Sequence, residues 1–175
     1  MTDSSPSSAS ASRPHAGGTR SLGFCVLSVS DTHTIEDDPS GNLARELIEK
    51  AGHQVVHYAL VANSIADARE QLEPWLAERS VECLVTVGGT GVSSRDLTVN
   101  ALETMGGKKL DGFGELYRSL SFQEVGPLAI ISRAGVYLLS GKPVFALPGS
   151  ERAVRTALEK LILPAAIHFV EELER

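Results

Sequence analysis

The sequence predicts an α/β fold: a three-layer α/β/α sandwich with a mostly parallel sheet and a small antiparallel hairpin. Three observations predict it. Apolar, strand-like runs alternate with segments of helical spacing through the first half of the chain. Such ordering demands right-handed parallel crossovers, with helices on both faces of one sheet. Residues 22–29 are almost wholly apolar, as a strand covered on both faces is. Late in the chain, residues 136–139 and 144–147 flank Ser140-Gly141-Lys142-Pro143, the pattern of a hairpin.

The elements follow in order. After the first strand, 22–29, come Ser30-Asp31-Thr32 and a polar stretch. Ser40 or Gly41 opens a helix whose buried stripe is Leu43, Leu47, Ile48 and Ala51, and Gly52 ends it. Residues 54–61 form a second strand. Ser64, with Asp67 three residues on, caps the next helix. Ile65, Ala68, Leu72, Trp75 and Leu76 line that helix, and Pro74 should kink or divide it. The third strand, 81–87, empties into Gly88-Gly89-Thr90-Gly91. Helices are expected over 97–105 and 113–124, and a short apolar segment over 128–131. The last helix follows Pro148-Gly149-Ser150, with Val154, Ala157, Leu158, Leu161, Ile162 and Ala165 on its buried face and a bend near Pro164.

Composition narrows the function. The chain has 175 residues, enough for one domain with a real core. Residues 1–20 are low-complexity, rich in Ser, Ala, Pro and Gly with almost nothing large and apolar, and are expected to be a disordered tail before a domain over 21–175. The net charge of -6 argues against a general grip on nucleic acid or an anionic membrane. No apolar run nears the roughly 20 residues of a membrane span. The N-terminus lacks the basic start and apolar centre of a secretory leader, so a cytoplasmic protein is expected. Cys25 and Cys83 lie in strand-like runs without CxxC spacing, which reads as buried thiols. The five histidines show no metal-binding spacing, and no GxSxG elbow is present.

Three strand ends carry the candidate site: Ser30-Asp31, Gly88-Gly89-Thr90-Gly91 and Pro148-Gly149-Ser150. In a parallel sheet the carboxyl ends lie together, so these loops can share one pocket. Glycines let backbone N–H groups approach an anion closely, though a tight strand-to-helix turn would need them equally. The loop is neither a Walker A motif nor a GxGxxG fingerprint. Asp96 reads either as a helix N-cap or as a carboxylate holding Mg²⁺ beside a phosphate. Ser150 is likewise a natural N-cap at a helix start that favours an anion. Glu36, Asp37 and Asp38 read as a solvated acidic face.

Taken together, these residues resemble the molybdopterin-binding family of molybdenum-cofactor biosynthesis, the MoaB/Mog group. The resemblance runs through Leu27-Ser28-Val29-Ser30-Asp31-Thr32, Gly88-Gly89-Thr90-Gly91 with Arg95-Asp96-Leu97-Thr98, Gly112-Phe113-Gly114-Glu115-Leu116-Tyr117-Arg118, Ser132-Arg133-Ala134 and Leu147-Pro148-Gly149-Ser150. It implies a molybdopterin-binding fold assembled as trimers or hexamers, working with other enzymes of the pathway. It implies transfer of AMP from Mg-ATP to molybdopterin, with release of pyrophosphate. In that reading Gly88, Gly89, Thr90 and Gly91 cradle the pterin phosphate. Asp96 holds Mg²⁺ or the nucleotide, Ser30 and Asp31 line the nucleotide side, and Ser150 adds donors. Thr98, Glu115, Pro148 and Gly149 complete the implied ligand-binding set. One departure stands out: where the catalytic branch has an acid after the second strand, this chain has Asn63. A neutral residue there also admits a carrier that binds molybdopterin without turnover.

Overall fold

A computed structural model describes residues 20–175; the tail expected over 1–20 lies outside them, apart from Arg20. Six strands form one sheet in the order β2-β1-β3-β6-β5-β4. The strands β1 (Gly23–Val29), β2 (Gln54–Val61), β3 (Cys83–Val87) and β6 (Lys142–Leu147) run parallel. The strands β5 (Gly135–Leu139) and β4 (Lys108–Leu110) add two antiparallel pairings at one edge. All seven residues of β1 are buried. Phe24 and Val26 face one cluster, while Cys25, Leu27 and Val29 face the other. The period of two thus divides one apolar strand between two cores.

The first core lies under α1 (Pro39–Lys50), α4 (Asp111–Val125), α5 (Glu151–Ala157) and α6 (Leu163–Leu173). The second lies under α2 (Ile65–Ala77) and α3 (Thr98–Thr104). This is the expected three-layer sandwich. Cys25 and Cys83 are fully buried free thiols. Burial is the main cause that pushes both thiols up, Cys25 to about 12. Among the described residues no helix is long and apolar enough to cross a membrane.

Several elements depart from expectation. Helix α1 starts at Pro39, because Asp38 accepts the Gly41 amide (2.9 Å) and proline suits a first helical turn. Asp38 is therefore no part of a solvated face; it is buried and also accepts the Tyr58 hydroxyl (2.7 Å). Ala51 is the exposed C-cap of α1, outside its stripe. Ser64 caps α2 as expected, but α2 runs undivided through the exposed Pro74. Asp96 does not cap α3, whose N-cap position is Leu97. Its carboxylate instead accepts the Ser93 amide (2.8 Å) and closes the loop before the helix. The hairpin turns on Ser140 (φ 51) and Gly141 (φ 76) alone, and Lys142 and Pro143 belong to β6. Two successive positive φ values match the twist of the strands they join. Residues 128–131 belong to a 3₁₀ turn, Gly126–Ile131.

The last helical segment is interrupted by a π-turn over Leu158–Ile162, just before Pro164. Proline has no N–H, and in a regular helix its ring would strike the carbonyl four residues earlier. A wider turn accommodates it. Buried positions then step by four, through Val154, Leu158, Ile162, Ala166 and Val170. Ala165, expected inside, is exposed.

Candidate functional site

Strand order reverses between β1 and β3: β2 lies on one flank of β1 and β3 on the other. Loops leaving the carboxyl ends on either side of such a point diverge and leave a crevice. A cavity of about 460 Å³ opens there. It brings together Ser30 and Asp31 after β1, Asn63 after β2, Gly88, Gly89 and Asp96 after β3, and Gly149 after β6. Arg95 and His33 add two cationic or potentially cationic groups to its wall.

The glycine loop is built for close approach. Gly88 has φ +103 and Gly89 φ +64, the left-handed region that favours glycine. A Cβ on Gly88 would collide with the Val29 carbonyl, and one on Gly89 with the Thr98 hydroxyl. The Gly88 amide is already used, donating to the Leu147 carbonyl (2.9 Å). The amides of Gly89, Thr90 and Gly91 form no hydrogen bond within the described residues. Thr98 is buried and donates its hydroxyl to the Gly88 carbonyl (2.8 Å), so it braces the loop from beneath.

Asp31 and Asn63 form a pair. Asp31 accepts the Asn63 amide (2.9 Å) and its side-chain NH₂ (3.4 Å). Asn63 Oδ1 is left buried without a partner, as is Ser28 Oγ on the same cavity wall. Buried acceptors and hydroxyls of this kind cost free energy unless something satisfies them. Ser30 Oγ turns inward on its own loop, accepting the amides of Thr32 (3.2 Å) and His33 (3.1 Å). Ser40 donates to the Gly149 carbonyl (2.7 Å), tying α1 to the loop after β6. Burial, with Asp38 beside it, raises the Tyr58 phenol above its ordinary pKa.

The remaining expected residues lie elsewhere. Thr90, Gly91, Pro148 and Ser150 line a second cavity of about 220 Å³ on the other side of the loop. Ser150 caps α5, accepting the Ala153 amide (3.3 Å). Glu115 is exposed on α4 and lines neither cavity.

Arg133 was not among the expected residues, yet it holds the loop in shape. Its Nε donates to the Gly91 carbonyl (2.7 Å), Nη1 to Asn100 Oδ1 (3.0 Å) and Nη2 to the Asp96 carbonyl. Its own amide donates to the Thr90 carbonyl (2.9 Å). Asp38, expected on a solvated acidic face, instead lines the first cavity. Its short spacing to the helix start at Pro39 was the available signal.

Among the described residues no three His, Cys, Asp or Glu side chains gather to hold a metal ion. Asp31 and Asp96 face one cavity and keep free lone pairs. That suits Mg²⁺ arriving with a nucleotide, since Mg²⁺ binds through one or two carboxylates, substrate phosphates and waters.

Known proteins share this chain's sequence and fold. The family described as "Probable molybdopterin binding domain" matches residues 25–168. Molybdenum cofactor biosynthesis protein B of Staphylococcus carnosus is 42% identical over 159 residues, covering 89% of this chain and 93% of that protein. A crystal structure of a molybdenum cofactor biosynthesis protein B superposes with TM-score 0.86 at 38% identity, covering 91% of this chain and 99% of that one. The tungsten cofactor synthesizing protein MoaB of Pyrococcus furiosus superposes with TM-score 0.81 at 31% identity, covering 89% and 99%. By family model, sequence identity and fold, the chain belongs to the molybdopterin-binding family of molybdenum-cofactor biosynthesis.

Proposed function

We propose that the protein transfers AMP from Mg-ATP to molybdopterin. The observation that carries this reading is the loop 88–91, standing between two cavities with three unspent amides and a carboxylate on its flank. A phosphate oxygen of molybdopterin attacks the α-phosphorus of ATP. A P–O bond forms there, the bond from that phosphorus to the bridging oxygen breaks, and pyrophosphate leaves. The nucleophile is already anionic, so no serine–histidine pair is required, and positioning with charge neutralisation carries the reaction. The amides of Gly89, Thr90 and Gly91 orient the anionic groups, and Arg95 at the rim draws them in. Asp31 and Asp96 hold the Mg²⁺ that accompanies ATP, which offsets charge on the phosphates. Arg133 and Thr98 fix the loop.

The test is an assay of ATP with molybdopterin and magnesium, following pyrophosphate and the AMP ester. Asp96→Ala should lower turnover by about a hundredfold or more, the scale of losing one electrostatic contact to a transition state. Equal rates in wild type and variant would remove Asp96 from the mechanism. A second reading is favoured by one observation: Asn63 supplies no charge where an acid would add one. A carrier of this kind binds molybdopterin and yields no AMP ester under any metal condition. We further propose a cytoplasmic homo-oligomer, trimer or hexamer, acting with other enzymes of the pathway.

A further inference from the structure

We propose that Lys142 is a site of covalent acylation, its amine taking the acyl group of a small acyl phosphate that enters the cavity beside the β5–β6 turn. This cavity lies at the opposite end of the sheet from the crevice described above and is independent of the reaction proposed there. Its volume is about 350 Å³. Leu76 of α2, Arg79 and Glu82 before β3, Lys142 of β6, and Leu173 and Glu174 at the end of α6 line it.

The hairpin sets the amine in place. Ser140 and Gly141 make the turn, so Lys142 is the first residue of β6. The pairing of Leu84 with Val144 puts Lys142 level with Glu82 and on the same face of the sheet. Its Nζ donates to the Glu78 carbonyl at the C-cap of α2. The carboxylates around it are all engaged elsewhere. Glu82 accepts Arg20 on one oxygen and the Gly23 amide (2.9 Å) on the other. Glu174 accepts Arg20 on both oxygens (2.8 and 2.7 Å). Glu78 accepts Ser80 on one oxygen and meets His57 Nε2 at 2.6 Å on the other. Lys142 is thus a half-buried amine without a counter-ion among the described residues.

Burial lowers the pKa of Lys142 from the usual lysine value, against smaller opposing pulls from Cys25, Glu78 and Glu82. More of this amine is therefore neutral near pH 7, and the neutral amine is the nucleophile. The other four lysines, Lys50, Lys108, Lys109 and Lys160, are all exposed. The cavity also selects the donor. Leu76 and Leu173 give a short acyl group an apolar bed, and the Arg79 guanidinium suits a phosphate. The Lys142 lone pair attacks the carbonyl carbon of the acyl phosphate. A C–N bond forms, the C–O bond to phosphate breaks, and phosphate leaves with that electron pair and with the proton the nitrogen gives up. The amide keeps an N–H for the Glu78 carbonyl but loses the charge that complements the C-terminal end of α2.

The experiment treats the full chain with acetyl phosphate near neutral pH and follows acetyl-lysine at each position by peptide mass spectrometry. Lys142 should be modified about fivefold or more faster than Lys50 and Lys108, since a lowered pKa raises the neutral fraction. In urea, which opens the cavity, that advantage should vanish. Arg79 is exposed, so Arg79→Gln should leave the fold intact. It should slow acylation of Lys142 by acetyl phosphate about fivefold, through the lost contact to the phosphate. It should leave unchanged the reaction of Lys142 with N-hydroxysuccinimide acetate, an acyl donor without charge. The inference is overturned if Lys142 reacts no faster than Lys50, if its advantage survives in urea, or if Arg79→Gln slows both reagents equally or neither.

Discussion

Asn63 is engaged by Asp31 through both its amide and its side chain. Replacing it by aspartate would set a second carboxylate 3.4 Å from Asp31, where a donor now stands. Like charges so close are unfavourable unless a cation lies between them. Asn63→Asp should therefore melt at a lower temperature than wild type without metal. Millimolar Mg²⁺ should restore it, with Mg²⁺ affinity up by about tenfold or more. Calorimetric titration reads both, and an unchanged Mg²⁺ affinity would show that the missing acid is not what limits metal binding. Arg133 makes a separate case. Lysine cannot reproduce its fork to Gly91, Asn100 and Asp96. Arg133→Lys should cost about a hundredfold in turnover, since small misplacements of a site are costly, with circular dichroism unchanged. A variant as active as wild type would reduce the clamp to packing. Neither Arg133 nor Asp38 announced this role in the sequence. Arg133 meets partners 33 to 42 residues away, and Asp38 sat inside an acidic run that composition alone assigns to the surface. The glycines and Asp31 were legible because their chemistry is local: a strand end, a missing side chain and an acid in a turn.

Elements with strong periodicity were legible to within a few residues. β1 was legible as a continuous apolar run and α2 by its helical stripe of Ala68, Leu72, Trp75 and Leu76, all buried. β4 was invisible, being three residues, two of them lysines. It exists because β5 offers it a ladder, and its lysines suit an edge that must not recruit another strand. The π-turn was equally hidden. A regular period of 3.6 assigns Ala165 to the core, whereas Leu158–Ile162 shifts the buried face onto Ala166. A paired substitution tests that shift. Ala166→Asp should destabilise the fold by about 3 kcal/mol or more, by burying an unpaired charge, while Ala165→Asp should stay within about 0.5 kcal/mol. Chemical denaturation measures both, and the opposite ranking would restore a regular helix there.

At the scale of the whole molecule, stability couples to pH through His53. The ring is buried, its Nδ1 accepts the Leu22 amide (3.2 Å), and it lies 5.3 Å from the Phe24 ring. Burial lowers its pKa from 6.5, against a smaller opposing pull from Glu82. The unfolded chain therefore takes up this proton first as pH falls. The contribution is complete above about pH 6.5 and is lost as pH drops below it toward the lowered native value. His53→Gln, which does not ionise, should remove that part of the slope between about pH 7 and pH 5 in denaturant melts. An identical slope in both proteins would clear His53 of the effect. The sheet order and its switch point, by contrast, were not readable from the chain alone. Alternation predicts parallel crossovers, but not on which flank of β1 each later strand lands.

Cys25 and Cys83 sit on the two strands that flank this switch point, fully enclosed and with their thiols pushed up. Neither can react with an alkylating reagent until its strand leaves the sheet. They are built-in clocks: the rate at which each is modified counts openings of β1 and β3 separately. A molecule seated at the carboxyl ends of those strands would slow both clocks together, reporting occupancy from the far side of the core without a label near the ligand.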